Sequence, residues 1–240
     1  MSLSSEALAL RIIGIPGIPE VKAGDNVADL LMDNFELNNY DVVVVTQKIV
    51  SKAEGRIVVL DKERPLEEQI EELIHSESRR ILRRRGGLFI TETNSGYVCA
   101  NAGIDQSNVP EGTVALLPRD PDRSARRIRD RILAKSGKQV GVIVSDTFGR
   151  TWRQGLTDVA LGVAGIAALV DLRGAHDANG RTLNATQIAL ADELASAAEL
   201  AKPKGGMIGA VVVRGIDRTY FRESSVADEL VRPYAEDLFR

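Results

Sequence analysis

Three short stretches of this 240-residue chain combine acids, hydroxyls and cations at the ends of apolar runs, where α/β sheets place ligand sites. In Ser145-Asp146-Thr147-Phe148-Gly149-Arg150 an acid terminates a β-branched run and is followed by a hydroxyl, a glycine and a guanidinium. Asp146 and Thr147 are hard oxygen donors suited to a divalent cation, and Arg150 or Arg153 can neutralise an anionic substrate. The competing reading is an aspartate that caps a following helix. In Asn101-Ala102-Gly103-Ile104-Asp105-Gln106-Ser107-Asn108-Val109-Pro110, Asp105 offers another hard ligand and Asn108 a donor to a phosphate or base, against a plain Asx-type turn. In Thr46-Gln47-Lys48-Ile49-Val50-Ser51-Lys52-Ala53-Glu54-Gly55, Lys48 and Lys52 can set two ammonium groups against a phosphate chain, unless they are two solvated lysines. Taken together, these residues suit metal-assisted chemistry on phosphates.

What the sequence lacks narrows the options. Neither G-x-x-x-x-G-K-[ST] nor G-x-G-x-x-G occurs, so ordinary P-loop and Rossmann readings have no support. Cys99 is the only cysteine, and His75 and His176 are the only histidines, which leaves no disulfide framework and little basis for a zinc or Ser-His-Asp enzyme. A net charge of -3 argues against a general nucleic-acid or membrane-surface binder, so any phosphate binding is local. No run reaches the roughly 18–20 apolar residues of a membrane span, and the chain reads as cytoplasmic.

The elements that must position these residues alternate strand and helix around short glycine-bearing connections, an α/β or α+β pattern. Continuous β-branched runs predict buried strands over 41–46, 140–145 and 210–213. Shorter strands are expected over 56–60, 88–93, 97–100 and 113–117. Helical spacing predicts helices over 65–85, 122–135, 156–169 and 184–201, a glycine-containing loop over 202–209 and a terminal helix from about residue 224. The arginine run 79–85 then falls at a helix C-terminus, where the macrodipole favours it. Trp152 and the small apolar residues after it read as packing or a subunit interface. A boundary between two subdomains is weakly marked near 118–125.

Four ordered motifs, residues 45–55, 102–109 and 145–150 together with Val211-Val212-Val213-Arg214-Gly215, closely resemble the coenzyme F420-0:gamma-glutamyl ligase family, over nearly the whole chain. The likeness is to the N-terminal ligase part of bifunctional actinobacterial members; the nitroreductase-like domain that follows it there is not expected here. The resemblance implies an α+β, two-part mixed-sheet fold and an intertwined homodimer. It also implies GTP-dependent ligation of L-glutamate to F420-0 with Mg²⁺ or Mn²⁺, two ions in all. Carried over by motif, Asp105 and Asp146 are metal ligands and Thr147 touches a second ion. Gln47, Lys48 and Lys52 hold phosphates, Asn108 contacts the nucleotide, and Ile18, Pro19, Glu20 and Val21 form an early nucleotide contact. Lys202, Gly205, Gly206, Met207 and Ile208 form a late one, in a segment where archaeal members carry an acid that this chain lacks. Lys52 and Arg150 are candidate charge stabilisers. The alternatives are a metal-dependent phosphatase or nucleotide hydrolase on the same acids, and a non-catalytic subunit.

Overall fold

The computed structural model describes residues 9–107, 109–203 and 205–239. The chain runs β1 (Arg11–Gly14), α1 (Val27–Asn34), β2 (Val42–Thr46), α2 (Gln47–Ala53), β3 (Ile57–Val59), α3 (Leu66–Glu77), β4 (Ser78–Arg85), β5 (Leu88–Thr93), β6 (Val98–Ala100) and β7 (Thr113–Ala115). It continues with α4 (Pro121–Ser136), β8 (Gly141–Arg150), β9 (Arg153–Ala164), β10 (Val170–Asp171), β11 (Gln187–Ile188), α5 (Leu190–Glu199), β12 (Ala210–Arg214) and α6 (Val226–Glu229). This is a mixed α+β fold, with one five-stranded sheet and three small ones among the described residues.

The large sheet is ordered β1-β12-β2-β8-β9, with β2 and β8 parallel and every other pairing antiparallel. Its valines face two cores by simple alternation. Val43, Val45, Val142, Val144 and Val212 pack with Leu31 of α1 and with Ile128 and Ile132 of α4. Val42, Val44, Ile143, Val211 and Val213 pack with Leu190 and Leu194 of α5. Sheet faces covered on both sides explain why these strands read as unbroken apolar runs. Helix α4 is delimited by the Asp120 side chain accepting from the Arg123 N–H, by Pro121 in its first turn and by Gly137 at φ 70° beyond its end. The Asp122 carboxylate, buried at its start, accepts from the backbone of Val163, Val226 and Ala227 and so ties α4 to β9 and α6.

Between β2 and β8 the chain builds a separate layer: β3 pairs with β7, and β4-β5-β6 form an antiparallel sheet beside α3. Here the expected helix over 65–85 is corrected. It stops at Glu77, and Ser78–Arg85 is a strand. The alternating β5, with Phe89, Thr91 and Thr93 buried, takes β4 as its partner, and Gly86-Gly87 is a hairpin turn rather than a helix stop. The arginines therefore line an edge strand, where charge blocks further pairing, and the macrodipole has no part in their placement. The helix expected over 156–169 is likewise corrected: the chain is a strand, β9, antiparallel to β8, as far as Ala164 and irregular beyond it. Contacts to α4 on one face and α5 on the other bury its residues consecutively and mask the period of two. The helix over 184–201 shortens to α5 behind β11, and the terminal helix to α6.

Candidate active site

The parallel pairing of β2 with β8 sets Thr46, the last residue of β2, beside Ser145. Beyond Thr46 the chain turns at once into α2, which puts Lys48 and Lys52 one turn apart on one face. Beyond Ser145, β8 continues to Arg150 instead of giving way to a helix, so Asp146 lies inside a strand and is not a helix cap. Asp105 is held by a two-way backbone bridge to Ala115 and accepts from the Ser107 backbone N–H at 2.6 Å. The Asx turn is therefore real, and it presents the carboxylate toward Lys48.

Ion pairs bring the expected residues to this one end of the sheet. Lys48 Nζ lies 2.8 Å from Asp105 and 3.0 Å from the Ser107 hydroxyl, and Lys52 Nζ lies 2.6 Å from Glu20. Each lysine is partly buried and is half of an ion pair, not a free solvated side chain. Ile18 and Val21, flanking Pro19 and Glu20, are buried and anchor the early segment in the core. Gln47 is buried, its carbonyl accepts from Ser51, and its amide nitrogen is unpartnered among the described residues. The late segment arrives beside α2, since Thr46 N–H donates to the Gly209 carbonyl. Within it Gly205, Gly206 and Met207 are exposed and Ile208 is half-buried. Lys202 instead points inward, its ammonium 2.5 Å from Asp158. Arg150 stands apart near the tip of the β8–β9 hairpin, donating to the Gln154 carbonyl. Asn108 lies outside the described residues.

Asp146 is the perturbed acid of the group. Burial pushes its carboxyl up to about 7; the Thr147 backbone N–H works against that, the charges of Asp105 and Asp158 add to it, and Lys48 opposes it. For Asp105, burial raises the pKa, but the Lys48 ammonium and the Ser107 N–H and hydroxyl outweigh it and hold the group ionised below its ordinary range. The nearby Cys99 thiol is pushed up to about 12 by burial and by the Asp146 charge, so it is an inert thiol.

The sign of the Asp146 effect gives a test. Unfolded, the carboxyl ionises near 4. Folded, it keeps its proton to about 7, so the folded chain holds the extra proton between these values. Stability therefore falls as pH rises through that window, by up to about 1.4 kcal/mol per pH unit. Without added metal, the melting temperature is expected to drop between pH 5 and pH 8, and Asp146→Asn to flatten the drop. Mn²⁺ is expected to restore the loss in the wild-type chain only.

The donors at this end are all oxygen and suit Mg²⁺ or Mn²⁺ rather than a soft metal. Among the described residues no three or more His, Cys, Asp and Glu side chains are grouped to hold a metal by themselves. That fits an ion held by one or two carboxylates, with water and substrate phosphates completing its shell. Asp158, which accepts from both Ser145 and Thr147, is the site residue that sequence reasoning missed.

Among the described residues, no helix is long and apolar enough to cross a membrane. Residues 17–215 match the family model for F420-0:gamma-glutamyl ligase. The chain is 39% identical to the coenzyme F420:L-glutamate ligase of Methanothermobacter thermautotrophicus, over 97% of this chain and 100% of that one. It is 40% identical to the same-named protein of Methanopyrus kandleri, over 96% and 98%, and 36% identical to that of Methanocaldococcus jannaschii, over 98% of each. With a match this long and relatives this similar end to end, the chain belongs to the F420-0:gamma-glutamyl ligase family.

Proposed function

We propose that this chain joins L-glutamate to coenzyme F420-0 through an amide bond, using GTP, and can extend a gamma-linked tail. The observation that carries the reading is that Asp105, Asp146 and Lys48 come together where β2 ends beside β8, in a chain of this family. A carboxylate is a poor electrophile. An oxygen of the F420-0 carboxylate attacks the γ-phosphorus of GTP and GDP leaves. The glutamate nitrogen then attacks the acyl carbon, its C–O bond to phosphate breaks, and phosphate departs while the amine gives up a proton.

In this reading Asp105 and Asp146 hold two divalent ions, with Thr147 on the second, and the ions supply positive charge against the repulsion between carboxylate and phosphate. Lys48, Lys52 and Gln47 orient the phosphates. Both lysines enter with carboxylate partners, so nucleotide binding exchanges Asp105 and Glu20 for phosphate oxygens. Ile18 to Val21 and the segment from Lys202 to Ile208 flank the nucleotide, with Asn108 as a further contact. No covalent enzyme nucleophile is required, in keeping with the inert Cys99. A homodimer belongs to the same proposal. The outer half of the β8–β9 hairpin projects from the core with Trp152 and Leu156 exposed, which suits an arm that packs on a second copy. Arg150 rides on that arm.

Mass spectrometry of F420-0 incubated with the protein, L-glutamate, Mn²⁺ and GTP, omitting each in turn, tests the reaction. Stepwise glutamate addition that needs all four is expected, with the protein sedimenting as a dimer. Phosphate release without glutamate addition would show hydrolysis alone and overturn the proposal.

A further inference from the structure

Asp158 on β9 is 2% exposed. A carboxylate taken this far from water must be paired. One oxygen accepts from the Thr147 hydroxyl at 2.7 Å; the other accepts from the Ser145 hydroxyl at 3.0 Å and from the Lys202 ammonium at 2.5 Å. Its own backbone is pinned as well. The N–H donates to Glu199, and the carbonyl accepts from the Ser196 hydroxyl, both on α5.

The hydrogen count fixes what Thr147 can do. A hydroxyl has one proton, and Thr147 spends it on Asp158, so only lone pairs remain for anything on its other side. A lone pair suits a cation and repels a phosphate oxygen. The same carboxylate anchors Lys202, the first residue of the late glycine-containing segment, to β8 and β9. We propose that Asp158 is a positioning residue that turns the Thr147 hydroxyl into an oxygen donor for a divalent cation and clamps the base of the segment after α5 through Lys202. This rests on the metal reading of Asp105, Asp146 and Thr147.

The test is Mn²⁺ binding followed by electron paramagnetic resonance, which needs no turnover. Asp158→Asn keeps the shape but offers an amide that can donate to Thr147 and reverse its hydroxyl. A 10–100-fold loss of Mn²⁺ affinity is expected, in the range for groups that orient metal ligands. The loss should be largely absent when Asp158→Asn is added to Thr147→Val, because both act through one hydroxyl. Thr147→Ser is expected to keep Mn²⁺ affinity near wild type, and it carries the test together with Thr147→Val if Asp158→Asn does not fold. A folded Asp158→Asn that binds Mn²⁺ within twofold of wild type, losses that add in the double variant, or equal affinities for Thr147→Val and Thr147→Ser would each overturn the inference. Absence of Mn²⁺ binding by the wild-type chain would instead overturn the metal reading beneath it.

Discussion

Asp146→Ala is expected to lower GTP-dependent glutamate addition by more than about 100-fold, while the metal-free protein melts no lower than wild type at pH 8. The two halves have one cause. The carboxyl sits among Asp105 and Asp158 in a site that resists its ionisation. Without a cation the ionised form is a burden on the fold, and removing it relieves repulsion. With a cation it becomes a ligand. Altering groups that merely orient metal ligands costs 10–100-fold, so deleting a ligand should exceed that range. Turnover by mass spectrometry and melting at pH 8 are measured on the same preparation. A variant that loses activity and melts far below wild type would show that Asp146 acts as a structural residue. One that keeps activity would remove it from the site.

Gly162→Ala is expected to cost about 3 kcal/mol or more and to leave much of the protein unfolded. A Cβ at Gly162 would stand 2.2 Å from the Pro121 carbonyl carbon and 2.5 Å from the Asp122 nitrogen. Overpacking against movable side chains costs about 1–3 kcal/mol. Here the obstacle is backbone at the start of α4, where Asp122 already binds Val163 N–H, so the helix would have to lift off β9. Urea unfolding gives the measure, with Gly87→Ala as the control, since nothing lies within 4 Å of a Cβ there. A midpoint unchanged from wild type would mean that α4 and β9 can part freely.

The valine runs were legible because strands covered on both faces have one composition, and β2, β8 and β12 appear where those runs lie. Helix α4 was legible from Asp120, Pro121 and Gly137, whose backbone chemistry is local. The region 156–169 was not, because glycine, alanine and leucine suit either element, and pairing with β8 is a long-range choice. That misreading also hid Asp158. An aspartate on an assumed helix gives no hint that Ser145, Thr147 and Lys202 converge on it. Asp105, Asp146 and Lys48 were legible as chemistry, because acids and cations at strand ends stand out in sequence. Their mutual pairing was not, since it depends on the side layer folding back over α2. The arginine run shows the same limit: its charge was visible, but its edge strand depends on β5.

The order of the large sheet bears on how the molecule is made. β12 lies between β1 and β2, although more than 150 residues separate it from β2 in sequence. On a ribosome adding about 5–20 residues per second, β1 and β2 wait roughly 10–30 s for the strand that joins them. Throughout that interval the valine edge of β2 stands unpaired on the side that β12 will fill, a surface prone to pairing with other chains. Cutting the chain before residue 210 would therefore remove an interior strand of the sheet and leave β1 without a partner in it.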